Sequence, residues 1–171
     1  MRTASALVLT GLALALAPAG AAGARSCAQA VAAPEQALRC HVNRVRQHHG
    51  LEPVAPDRRL VHAAERHAAD MAARDYFSHS SPDGAQAEQR VRPTGYLAAR
   101  RWWLGEVLAW GAGPQRRPRA IVRAWMNSPM HRAVLLDGRY RDAGFGLVRG
   151  APAAFDGRAV TVAAVFGRRS G

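Results

Sequence analysis

Helical patterns come first along the chain, and its last two ordered runs are strand-like, an order that limits the folds open to it. Leu38, Val42 and Val45 recur at helical spacing after Pro34 and Glu35, which are start signals, and Gly50 provides a left-handed stop. On this reading Arg39, Arg46 and Gln47 lie on the opposite, polar face, and His48 and His49 sit in the favourable last turn. Residues 51–56 hold two prolines and are extended. Asp57 then caps a second helix to about Asp75, with Leu60, Ala64, His67 or Ala68, and Met71 buried. Short helices follow over 87–92 and from Pro118. Residues 143–149 and 159–166, the latter with Val160, Thr161, Val162 and Val165, read as an antiparallel hairpin turning at Asp156-Gly157. One earlier run, residues 102–110, is extended and apolar apart from Glu106. Helices first and a hairpin last is an α+β pattern, not an alternating β-α-β one.

With 171 residues there is room for one domain with a real core. Residues 1–24 read as a signal peptide: Arg2, an apolar run over 6–17, and the small residues Ala22-Gly23-Ala24 at the cleavage point. The run falls short of the ~20 residues a spanning helix needs, and no later segment could cross a bilayer. Ala24-Arg25-Ser26 before Cys27 is a poor lipoprotein site, so no lipid anchor is expected. Residues 25–34 form a linker and 35–171 the domain. An exported chain is expected outside the cytoplasm, secreted or periplasmic. There Cys27 and Cys40 can form a disulfide worth ~3 kcal/mol in the chain-entropy model; the alternative is two free thiols.

The formal charge is +12, carried entirely by arginine. Those arginines are scattered along an Ala-rich sequence and do not form a block with interleaved aromatics. That excludes a specific nucleic-acid partner and leaves non-specific attraction to anionic surfaces. A monomer is expected.

Three residues stand out for chemistry. A helix breaks at Asn127-Ser128, and a new one starts at Pro129, putting His131 and Arg132 at its head. His79 lies in Phe77-Ser78-His79-Ser80-Ser81-Pro82-Asp83-Gly84, where the Pro-Asp-Gly turn fixes the chain and Phe77 is expected to anchor the loop. Glu106, in apolar surroundings, needs a cation, a donor or a metal. These three are expected to converge on one cleft, lined also by Ser78, Asn127, Ser128 and Arg132. His67 reads as a half-buried packing histidine, five residues from His62 and outside any metal motif.

Taken in order, these stretches resemble the CAP superfamily (cysteine-rich secretory proteins, antigen 5 and pathogenesis-related 1) in its short bacterial form. The resemblance runs over about residues 38–167. It rests on the 77–84 loop, Gly105-Glu106, Trp125-Met126-Asn127-Ser128-Pro129-Met130-His131-Arg132, Gly144-Phe145-Gly146 and Phe166-Gly167. It implies an α-β-α sandwich with a small antiparallel central sheet, and a cleft of two His and two Glu that binds zinc or another divalent ion in some members. His79, Glu106 and His131 match three of the four; Asn127-Ser128 stands where longer members carry the second Glu. Two imidazoles and one carboxylate form a zinc site with open positions.

Two functional readings follow from the cleft, beside a third, a polyanion binder driven by the arginine excess, whose affinity would collapse steeply with salt and ignore both histidines. One is a non-enzymatic binding module whose cleft takes a divalent metal and whose groove takes a small ligand, lipid, peptide or glycan. The other is a metal-dependent hydrolase using the same cleft. No nucleophile–base–orienter triad can be named, and the binding module is preferred.

Overall fold

The computed structural model describes residue 27, residues 33–155 and residues 157–170. The expected signal peptide, Asp156 of the hairpin turn and most of the linker lie outside these. Helix α1 spans Pro34–His48, strand β1 Ala55–Pro56, and helix α2 Arg58–Ala73. Helix α3 (Ala87–Val91) runs into 3-10 turns over 92–98 before strand β2, Arg101–Ala112. Helices α4 (Pro118–Asn127) and α5 (Pro129–Leu135) precede strands β3 (Asp142–Arg149) and β4 (Ala159–Ser170).

Local chemistry sets these boundaries. Asp57 Oδ1 accepts the Arg59 N–H at 2.9 Å, and Pro34, Pro118 and Pro129 open their helices. Gly50 has φ +69°, which lets the Leu51 N–H return to Arg46 O at 3.0 Å. Ser128 is extended (φ −96°, ψ 119°), so α4 and α5 are two helices and not one bent one.

The sheet order is β1-β3-β4-β2. Strands β3, β4 and β2 are antiparallel, as expected, but β1 runs parallel to β3 through Ala55 and Pro56. The sheet is therefore mixed. The proline-bearing segment before α2 lies extended beside β3, its Ala55 N–H donating to Arg141 O at 2.8 Å. Side chains of β4 alternate between two cores. Val162, Ala164 and Phe166 pack with Leu38, Val42, Ile121 and Trp125 of α1 and α4. Ala163 and Val165 pack with Leu60, Ala64, Ala68 and Met71 of α2. This is an α-β-α sandwich in which β2 is an edge strand.

Arg46 does not lie on the polar face of α1. Its side chain is fully buried and continues the Leu38–Val42 stripe. The guanidinium donates to Glu52 O, Leu135 O, Asp137 O and Tyr140 O at 2.8–3.2 Å, fastening α1 to the segment that follows α5. Helical spacing located the stripe but cannot tell that one of its members meets only carbonyls. Cys27 and Cys40 are joined in a disulfide, Cα atoms 5.6 Å apart, so the bridge to α1 is borne out.

Candidate functional site

Glu106 faces the α2 side of edge strand β2, opposite Val165 of β4. Its side chain is only 4 % exposed, and three basic groups from different elements surround it. From the 77–84 loop, His79 Nδ1–H donates to Oε1 at 2.8 Å. From α3, Arg90 Nη2 reaches both oxygens, at 3.0 and 2.8 Å. From α2, His67 Nε2 stands 3.9 Å from Oε1. Burial pushes the Glu106 carboxyl up, but the His79 hydrogen bond and the Arg90 charge outweigh it, and the group is held below the ordinary carboxylate range.

The loop carrying His79 is pinned as the turn chemistry predicts, Gly84 N–H donating to Ser81 O at 2.8 Å. Its anchor is different from the one expected: Phe77 is 45 % exposed, while Ser81 is buried. Arg90 does the fastening, donating to Ser81 Oγ at 3.2 Å, Ala85 O at 2.5 Å and His79 O at 3.0 Å. One guanidinium thus holds both the loop backbone and the carboxylate that orients the loop's imidazole. With Nδ1–H committed to Glu106, Nε2 is the ring nitrogen of His79 left to meet another partner.

His131 arrives from the first turn of α5 and is partly buried. Burial, and then the positive charge of His79, push it below the ordinary imidazole value. Of the other residues assigned to the cleft, Ser78 gives its carbonyl to His67 Nε2–H at 3.1 Å and its Oγ to the Ser80 N–H at 3.1 Å. Asn127 ends α4 and is exposed, Ser128 precedes α5, and Arg132 is exposed on its first turn.

Arg90 is not among the residues expected at the site, and His67 is expected only as half-buried packing. His67 is 1 % exposed and hydrogen-bonded, one layer behind Glu106. A lone acid in an apolar run did signal that a cation must meet it. Spacing did not say which of the chain's arginines would. His67 and Arg90 also line a groove of about 530 Å³ beside α2, whose walls carry both signs of charge, among them Arg66, Asp70 and Asp83.

Burial holds the His67 ring below its ordinary value of 6.5, Arg90 reinforcing this against the pull of Glu106. A histidine depressed in the fold resists a proton that the unfolded chain accepts. Its stabilisation is full above about pH 6.5 and is lost as pH falls below that. Glu106 has the same sign in a lower window, from 4.5 downward. In metal-free protein the thermal midpoint is therefore expected to fall between about pH 7.5 and pH 5.5. His67→Gln, which can keep the bond to Ser78 O, should flatten that fall; an unchanged slope would rule His67 out as its source.

The fold and this arrangement define a class: an α-β-α sandwich with a buried, cation-ringed Glu on its edge strand and histidines brought to it from a loop and from α2. The chain belongs to the CAP family, matching the family model described as "Cysteine-rich secretory protein family" over residues 40–165. Among curated relatives, it is 33 % identical to Bacillus subtilis YkwD over 125 residues, covering 72 % of this chain and 46 % of that protein. The chain spans less than half the length of the curated relatives it matches. An extracellular protein containing an SCP domain from Bacillus anthracis superposes with TM-score 0.64 at 26 % identity, over 80 % of this chain and 40 % of that one. An outer surface protein of Borrelia burgdorferi superposes with TM-score 0.65 at 21 % identity, over 78 % of this chain and 90 % of that one, and shares the fold. No helix among the described residues is long and apolar enough to cross a membrane.

Proposed function

We propose that the chain is an exported binding module whose edge-strand cleft takes a divalent cation on His79 and His131. The observation that carries the reading is the 2.8 Å bond from His79 Nδ1–H to Glu106, which fixes the ring with Nε2 available. Carboxylates hold metal-binding histidines in this way, from behind the ligand and not on the metal. Glu106 is accordingly reassigned from ligand to orienting group, because Arg90 already occupies both its oxygens. Among the described residues no three His, Cys, Asp or Glu side chains form a metal cage, so the proposed site rests on the two imidazoles alone, with its other positions open. Bound there, a zinc ion would present Lewis-acid positions to a ligand. The adjoining groove, with walls of mixed charge, suits a peptide or glycan better than an apolar chain.

The hydrolase reading draws less support. Glu106, the carboxylate that would serve it as ligand or base, has both oxygens held by Arg90. Calorimetric titration with Zn²⁺ tests the proposal. Saturable binding is expected, lowered about tenfold or more by His79→Ala, by His131→Ala and by Glu106→Gln. Heats unchanged in the two histidine variants would overturn it. Chelator-sensitive turnover of a peptide or ester panel would move the conclusion to the hydrolase.

A further inference from the structure

Some of the arginines that are scattered in sequence come together in space. Between Glu106 and Asp137 the chain carries five arginines and no acid, and α4 lies within that stretch. At the end of the sheet where α4 begins, a cavity of about 600 Å³ is lined by Arg116, Arg117, Arg149 and Arg158, with Pro34 and Pro118 from the first turns of α1 and α4. No carboxylate among the described residues lines it. The arginine–carboxylate pairs among those residues use Asp57, Asp70, Glu88, Glu106 or Asp137, none of which borders the cavity. The 33 residues before Pro34 contain no Asp or Glu, so that segment offers no side-chain anion to fill it.

The positive field continues along α4. Arg44, Arg119 and Arg123 line the next groove, with His41 among them. Burial, then the charges of Arg44 and Arg119, lower the pKa of that histidine. Like charges held together repel, none of the described carboxylates offsets these, and an arriving anion relieves the repulsion. Guanidinium forks match phosphate oxygens in pairs. A single carboxylate carries too little charge to balance three or four of them.

We propose that this cavity is a binding site for a phosphate-bearing anion of at least two negative charges, separate from the histidine cleft. Arg116, Arg117 and Arg149 carry it. Two sources share the chemistry, a soluble polyphosphate or phosphodiester and an anionic lipid headgroup.

Pyrophosphate is the first probe, used with the full-length mature protein at low salt, by calorimetry and amide shift mapping. Saturable binding is expected, with shifts at residues 116–118, 149 and 158–160. The double variant Arg116→Gln/Arg149→Gln should weaken it about tenfold or more. Both side chains are exposed, and an unchanged thermal midpoint would confirm that the variant folds. His79→Ala should bind pyrophosphate as the native chain does, so loss of the metal site would leave this result standing. Phosphatidylglycerol vesicles, against phosphatidylcholine ones, are the second probe. Vesicle binding abolished by the double variant assigns a lipid source; pyrophosphate binding without vesicle binding assigns a soluble one. The proposal is overturned if neither probe binds, or if the double variant binds both as tightly as the native chain.

Discussion

Arg46→Met is expected to destabilise the domain by about 3–5 kcal/mol, the range for removing one member of a buried charged network. Methionine keeps most of the volume and removes the fork. Four carbonyls, of Glu52, Leu135, Asp137 and Tyr140, then lose their donor in a place where water is excluded from the side chain. Burial lowers the Arg46 pKa, with Arg141 adding to this and Asp137 opposing it, yet the group stays charged at any working pH because an arginine starts so high. Arg46→Lys keeps the charge but offers it as one point where the fold needs a planar fork. It should lie between the native chain and Met, at about 2 kcal/mol. Denaturant unfolding monitored by tryptophan fluorescence measures both. A loss under about 1 kcal/mol for Met would mean that the carbonyls find other partners. Because Leu135 ends α5, the substitution should also loosen the helix that carries His131, lowering zinc affinity in the folded fraction.

The second large effect is expected from Gly144→Ala, at about 3 kcal/mol or more, the upper end for overpacking. A Cβ at Gly144 would sit 2.0 Å from Leu60 C and 2.1 Å from Val61 N, both backbone atoms of α2. At Gly146 the corresponding contacts are 2.3 Å from Glu65 N and 2.4 Å from Ala64 C. Here glycine is required by close approach, not by an unusual dihedral: the helix lies flush on β3, and backbone cannot turn aside as a side chain can. To admit a methyl group, α2 must lift away from the sheet. That opens the core in which Leu60, Ala64, Ala68 and Met71 meet Ala163 and Val165. It also draws His67 away from Ser78 O and Glu106. Unfolding free energy within about 0.5 kcal/mol of native would show that the helix tolerates the shift.

Much of the fold could be read before any coordinates. Proline at a first turn, Asp57 as a cap and the Pro129 restart are local signals, decided within a few residues of where they act. So were the strand runs and the hairpin, because β-branched residues and turns state their preference locally. The parallel pairing of β1 was not legible. Two residues carry too little pattern, and their partner lies nearly ninety positions away in sequence. Arg46 and Arg90 were misread or missed for a related reason. Arginine is usually solvated, and only the surroundings reveal whether carbonyls or a carboxylate await it.

By itself the sequence determined the helix and strand segments and the family signature, and it singled out Glu106, His79 and His131 as candidates for chemistry. The tertiary structure alone decided which groups meet. It brought Arg90 and His79 to the Glu106 carboxylate, placed His67 behind them, and gathered separated arginines around one cavity. The physical reason is that a side chain's charge and lone pairs are fixed by its type, whereas their partners are fixed by packing between segments distant in the chain, which no local pattern records.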